Sequence, residues 1–185
     1  MIFGDSYTRK NDTDLVFLIS NGDEKAFGEL LKRHQNAVYS FAFRLLGGDA
    51  REAEDVAQET FLRLFRISAS YNPTASLRTF LFKITKNLCI DLYRKKRPGL
   101  TEEFPDIPEK ETPLDLLEKV IEAEQLENAI KTLPVNQRAA LLLRHKEQMP
   151  YNQIANVMGV SVSAVESLLV RARQKLRKKL SSDIQ

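Results

Sequence analysis

The stretch from Tyr151 to Lys179, YNQIANVMGVSVSAVESLLVRARQKLRKK, reads as a short helix, a tight turn and a longer helix, the pattern of a helix-turn-helix. Ile154, Ala155 and Met158 give the first helix one apolar face, and Gly159 stands where a helix end needs positive φ. Ser161 or Ser163 can cap the second helix. Val162, Val165, Leu169, Ala172 and Leu176 alternate at spacings of three and four, which predicts one buried stripe. Ser163, Ala164, Glu166, Ser167, Val170, Arg171, Gln174, Lys175 and Lys178 then point elsewhere. The helix ends in Arg171, Arg173, Lys175, Arg177, Lys178 and Lys179 with no acid among them, which suits a front that reads base edges and a rear that meets phosphate. A solvated helix end would carry the same cations to complement the macrodipole. The Gly turn between two amphipathic helices is what tips the reading toward DNA.

Working outward, 185 residues allow two small domains, and 43% apolar with 29% charged residues is ordinary for a soluble globular chain. The net charge of +3 says little, but its distribution says more. Lys83 to Arg97 is dominated by cations, whereas Gly99 to Glu124 carries nine acids against Lys110 and Lys119. The single cysteine, Cys89, excludes an internal disulfide framework and sits in a helical pattern as a small core residue. With only His34 and His145 beside it, a Cys/His zinc site cannot be assembled, and no cofactor is expected. No apolar run has membrane-spanning length and the start, MIFGDSYTRKNDTD, lacks the apolar core of a secretion signal, so no membrane insertion and a cytoplasmic location are expected.

Taken in order, the chain reads as helices throughout, with no two-residue alternation calling for a sheet, so the expected class is all-α. The first helix, Asp12 to Asn21, is opened by Asp12 or Thr13; a second runs from about Glu24 to Leu46. The third starts at Asp49, an N-cap with Glu52 three residues on, and reaches about Ser68. Its core face is Ala53, Val56, Ala57, Thr60, Phe61 and Leu64. On another side Asp55, Gln58, Glu59 and Leu62 stack in a stripe of hydrogen-bonding groups with one apolar residue in line, either a partner-docking surface or the margin of a wide core face.

After a loop at Ser-Ala-Ser-Tyr-Asn-Pro, a fourth helix, SLRTFLFKITKNLCIDLYRKKR, is expected to bury Leu77, Leu81, Ile84, Leu88 and Leu92. Phe80, Phe82 and Tyr93 interleave with Lys83, Lys86, Asn87 and Arg94 to Arg97, and rings beside cations suit single-stranded nucleic acid. Phe80 and Phe82 would serve equally as core. Pro98, Pro105, Pro108 and Pro113 mark an acidic linker. From about Pro113 a helix leads through Leu116, Leu117, Val120, Ile121 and Leu126 to Leu133-Pro134, and VNQRAALLLRHKEQ packs under the helix-turn-helix. The expected domains are 1–98, a linker at 99–124, and 125–185.

The order of these motifs resembles a bacterial extracytoplasmic-function sigma factor of the sigma-70 family: Asp55 to Arg63, then Ser76 to Asp91 ending in Arg-Lys-Lys-Arg, an acidic linker, L-P-V-N-Q-R and the helix-turn-helix. The resemblance implies a helical region 2-like domain and a region 4-like domain in a non-enzymatic subunit that binds core RNA polymerase, recognises a promoter and opens it. It implies that Asp55, Gln58, Glu59, Phe61 and Leu62 dock on the polymerase. Tyr71, Asn72, Lys83, Lys86, Asn87, Arg94, Lys95, Lys96 and Arg97 would hold the displaced strand at the −10 element. Ser163, Glu166, Ser167, Val170, Arg171 and Lys175 would read the −35 element. An anti-sigma partner is expected on the same ground. The chain departs from the family pattern at Glu166 and Leu168, where basic residues are frequent, and at Phe80, where Trp is usual. The competing reading is a helix-turn-helix regulator that binds duplex DNA without polymerase; an enzyme would need converging carboxylates, which here crowd into the linker.

Overall fold

The structure is a computed structural model and describes residues 5–72, 75–96 and 123–182. The regular elements among them are all helical: α1 (Asp5–Thr8), α2 (Asp12–Ser20), α3 (Glu24–Leu45), α4 (Ala50–Ile67), a 3-10 turn (Ser68–Ser70), α5 (Leu77–Lys96), α6 (Ala123–Lys131), α7 (Val135–His145), α8 (Tyr151–Met158) and α9 (Val162–Ser182). The chain divides into two compact units, Met1–Asp91 and Leu92–Gln185, with the division inside α5. Most of the acidic linker, and the start of the helix expected from Pro113, lie outside the described residues, as does Arg97.

In the first unit short polar side chains set the helix starts. Asn11, not Asp12 or Thr13, opens α2, its side chain accepting from the Asp14 amide at 2.8 Å. Asp23 accepts from the Lys25 and Ala26 amides to open α3, and Asp49 accepts from Glu52 N at 3.0 Å to open α4. The Ala26 amide, followed by the Tyr7 hydroxyl, holds the Asp23 carboxyl below its ordinary range. Tyr7 donates to Asp23 Oδ2 at 2.9 Å. Arg33 on α3 donates to the carbonyls of Tyr7, Thr8 and Lys10 and to the carboxylates of Asp12 and Glu29, and His34 Nε2 lies 2.8 Å from Asp12 Oδ2. A fork of five donors therefore straps the first turns of the chain onto α3.

The core of this unit gathers Leu15, Val16 and Ile19 of α2, Ala26, Leu30 and Val38 of α3, Phe61 and Leu64 of α4, and Leu77 and Leu81 of α5. Phe41 and Phe82, each 1% exposed, meet edge to face with centroids 5.1 Å apart. Between α4 and α5 the hydroxyls of Thr60 and Thr85, both wholly buried, lie 3.2 Å apart, each also within 2.8 Å of the carbonyl four residues back. Cys89 is buried, and burial, with the Glu52 charge second, pushes its thiol up to about 12, as befits a packing residue.

In α5 the buried set is Leu77, Thr79, Leu81, Phe82, Thr85, Lys86 and Cys89. Ile84, Leu88 and Leu92, expected to be core, are only half-buried. The core face is turned toward Phe82 and Cys89 because the helix is apolar around much of its circumference, and neighbouring elements decide which side is covered. Phe17 of α2 is 68% exposed, and Leu126 of α6 is 39% exposed.

In the second unit α7, α8 and α9 pack through Leu143, Ile154, Val165, Leu169 and Ala172. Arg138, 1% exposed, donates to the carbonyls of Lys131 and Leu133, tying the end of α6 to α7. Arg144 donates to the Met149 carbonyl at 3.1 Å and lies 5.1 Å over the Tyr151 ring, bracing the entry to α8.

Candidate docking and nucleic-acid surfaces

Three surfaces are built by this scaffold. On α4, Asp55 and Gln58 are exposed, Glu59 is half-buried and Leu62 is 47% exposed. Glu59 is held in an i,i+4 pair with Arg63 at 2.9 Å, and Arg66 lies 3.6 Å away. The Arg63 hydrogen bond is the main reason the Glu59 carboxyl sits below its ordinary range. Phe61, expected on the docking face, is instead 4% exposed, since its position falls on the core side of the helix. Its ring still reaches the floor of a groove of about 560 Å³ between α3 and α4, lined also by Phe27, Leu31, Tyr39, Gln58 and Leu62. Phe65, which spacing did not single out, is 50% exposed one turn beyond Leu62 and edge-on to Phe27 at 5.7 Å. Its position three residues after Leu62 was the available signal.

The second surface follows the loop before α5. Tyr71 is half-buried and packs edge-on against Phe80 at 5.3 Å; burial, then the Asp12 charge, raises its hydroxyl. Asn72 is exposed. On α5, Lys83, Asn87, Arg94, Lys95 and Lys96 are exposed. Lys83, Asn87 and Arg94 fall within about 40° of one another around the axis and form one polar row. Lys86, expected to face nucleic acid, is 8% exposed, because it falls on the same side as Phe82 and Cys89. Phe82 is likewise core and offers no stacking face.

The third surface is the helix-turn-helix. Gly159 closes α8 at φ 72°, its amide bonded to the Ala155 carbonyl at 2.8 Å, in a left-handed conformation that side chains other than glycine's resist. The chain then turns by 95° into α9, whose first turn is capped by Ser161 accepting from Ala164 N at 3.2 Å. Ser163, Glu166 and Lys175 are exposed, and Val170 and Arg171 half-buried. Ser167, expected to read bases, is 7% exposed, and Ala164 and Leu168 are also buried, because α9 lies in the angle between its neighbours and a wide arc of its first turns is covered. Val162, expected in the buried stripe, is 42% exposed: it stands at the first position of α9, next to the exposed Ser161 of the turn. His145, at the end of α7, is lowered below its ordinary value by desolvation first and then by the charges of Arg173 and Arg144. Among the described residues no single helix is long and apolar enough to cross a membrane.

The chain matches the family Sigma-70 region 2 over residues 30–98 and the family Sigma-70, region 4 over residues 123–176. It is 34% identical over 166 residues to the ECF RNA polymerase sigma factor SigE of Mycolicibacterium smegmatis, a match covering 85% of this chain and 64% of that protein. It is 32% identical to the RNA polymerase sigma-H factor of Pseudomonas aeruginosa, with 94% of this chain and 95% of that protein covered. Among solved structures it resembles the sigma factor RpoE of Bartonella quintana, crystallised with the anti-sigma factor NepR, with a TM-score of 0.63, 25% identity, and 86% of this chain and 99% of that chain covered. Two helical units, an exposed polar stripe on α4, and a helix-turn-helix after it in the chain are thus accompanied by both sigma regions in the same order, and the chain belongs to the sigma-70 family, among its extracytoplasmic-function sigma factors.

Proposed function

We propose that the chain binds core RNA polymerase through α4, holds the melted −10 strand with the Tyr71 loop and the Lys83-Asn87-Arg94 row, and reads the −35 element with the exposed start of α9. The observation that carries this reading is the α4 stripe. Asp55, Gln58 and Leu62 stand exposed beside an apolar groove on a helix whose other face is core. A regulator acting on duplex DNA alone has no use for such a surface. Opening then requires no catalytic group, only stacking and phosphate contact sufficient to offset unpairing of a few bases. The working location is the cytoplasm, where polymerase and promoter are found.

The division of labour makes the α9 helix the source of duplex specificity and α5 the source of opening. Relatives seen with an anti-sigma factor support a partner of that kind, whose docking would withhold one of these surfaces. Transcription in vitro with this chain, core enzyme and a promoter library tests the whole reading: discrete promoter-directed transcripts are expected. A chain that binds duplex DNA but neither co-elutes with core enzyme nor supports transcripts would be a regulator instead.

A further inference from the structure

The first turns of α9 offer less to DNA than their sequence suggests. Ser161, just before α9, is engaged in the cap, and its hydroxyl and that of Ser163 lie 2.9 Å apart, so part of the hydrogen-bonding capacity of Ser163 is turned toward the cap. Ser167 is buried at 7% exposure. Along one face, at successive turns, stand Val162, Glu166 and the half-buried Val170, the first 42% exposed although it is a branched apolar residue on the helix that would enter the groove.

We propose that Val162 is a specificity-determining residue that reads the 5-methyl group of a thymine in the −35 element, next to the base pair faced by Glu166. This rests on the function proposed above. A recognition helix places its N-terminal residues at base edges, and residues one turn apart on one face of it meet nearby base pairs. In the major groove the thymine methyl is the apolar feature a valine can bury, whereas a carboxylate can accept from the cytosine amino group. Valine is stiff about χ1, so its two methyl groups are held in place at little entropic cost. The spacing of four residues between Val162 and Glu166 matches neighbouring base pairs. The apolar residue thereby supplies discrimination on a stretch where Ser161 is engaged in the cap and Ser167 is buried.

The test uses the full chain with core polymerase and a duplex carrying its selected −35 element, in which each thymine is replaced in turn by deoxyuridine, removing the methyl group and nothing else. At one position the parent should lose affinity by roughly threefold to fivefold, the value of one buried methyl group. Val162→Ala should bind the thymine and deoxyuridine duplexes equally at that position while keeping the parent's response at every other. Val162 is exposed and starts the helix, so the alanine variant should fold; its thermal unfolding midpoint confirms this. Specific binding in which every methyl response survives Val162→Ala overturns the inference and leaves the proposed function standing. Binding with no sequence preference at all overturns the proposed function, and the inference with it.

Discussion

The helix α4 and most of α5, up to Asp91, lie in the same unit and both carry a side facing solvent, yet their sequences were not equally readable. In α4 the change from core to surface is abrupt: Ala53, Val56, Thr60, Phe61 and Leu64 are buried, while Asp55, Gln58 and Leu62 are not. In α5 apolar residues run around much of the helix, so periodicity alone finds several faces of similar merit. The chain buries the one containing Phe82, Thr85 and Cys89 and leaves Ile84 and Leu88 half-covered. The lesson is that a hydrophobic pattern locates a core face in proportion to how sharply it ends.

The largest test of that contrast lies within α5. Phe82→Ala should destabilise the chain by about 3–5 kcal/mol, because a ring 1% exposed and packed edge-on to Phe41 leaves a cavity. Phe80→Ala, at a half-buried ring, should cost markedly less in the same denaturant titration. Equal costs would mean that the core face of α5 is wrongly phased.

On α4 the corresponding test concerns binding. Asp55→Arg should weaken core polymerase binding by more than about tenfold, since it reverses the charge and adds bulk in the middle of the docking stripe. Its thermal unfolding should stay close to the parent's, because Asp55 is exposed. Binding measured by co-elution or fluorescence anisotropy that is unchanged by this reversal would remove α4 from the interface. The polar row on α5 predicts a smaller effect. Asn87→Ala should lower promoter opening by roughly threefold to tenfold, the equivalent of one lost hydrogen bond to a base, with the closed complex preserved. Permanganate reactivity of unpaired thymines reads the opened fraction.

These contrasts also explain which parts of the molecule the sequence revealed. Asp49 as a cap, the Gly159 turn, the α4 stripe and the all-helical class were legible because each depends on neighbours within a few residues. Other features were not. Ser167 is covered because α9 is embedded among its neighbours, Val162 is uncovered because it stands at the exposed turn that opens α9, and Arg33 binds carbonyls more than twenty positions away. Lys86 misleads for a related reason: its type suggests solvent, but its place on the helix is set by Phe82 and Cys89. In each case tertiary placement, which periodicity does not encode, overrides the chemistry of the single residue.

The smallest expected effect joins the two helices directly. Thr60 and Thr85 have two hydroxyl hydrogens for three contacts: one with the Val56 carbonyl, one with the Leu81 carbonyl and one with each other. When one hydroxyl donates across the interface, the other satisfies its own helix. When Thr60→Val removes one partner, Thr85 can turn to the Leu81 carbonyl, so no buried donor is orphaned. Each single change to valine should therefore cost no more than about 1 kcal/mol, and the double change less than the sum, because an apolar pair of the same shape replaces a polar one. A double-mutant cycle in denaturant should return a coupling of about 0.5 kcal/mol. Strict additivity would show that the cross-helix hydrogen bond contributes nothing to how α4 and α5 are held, leaving their registration to side-chain packing alone.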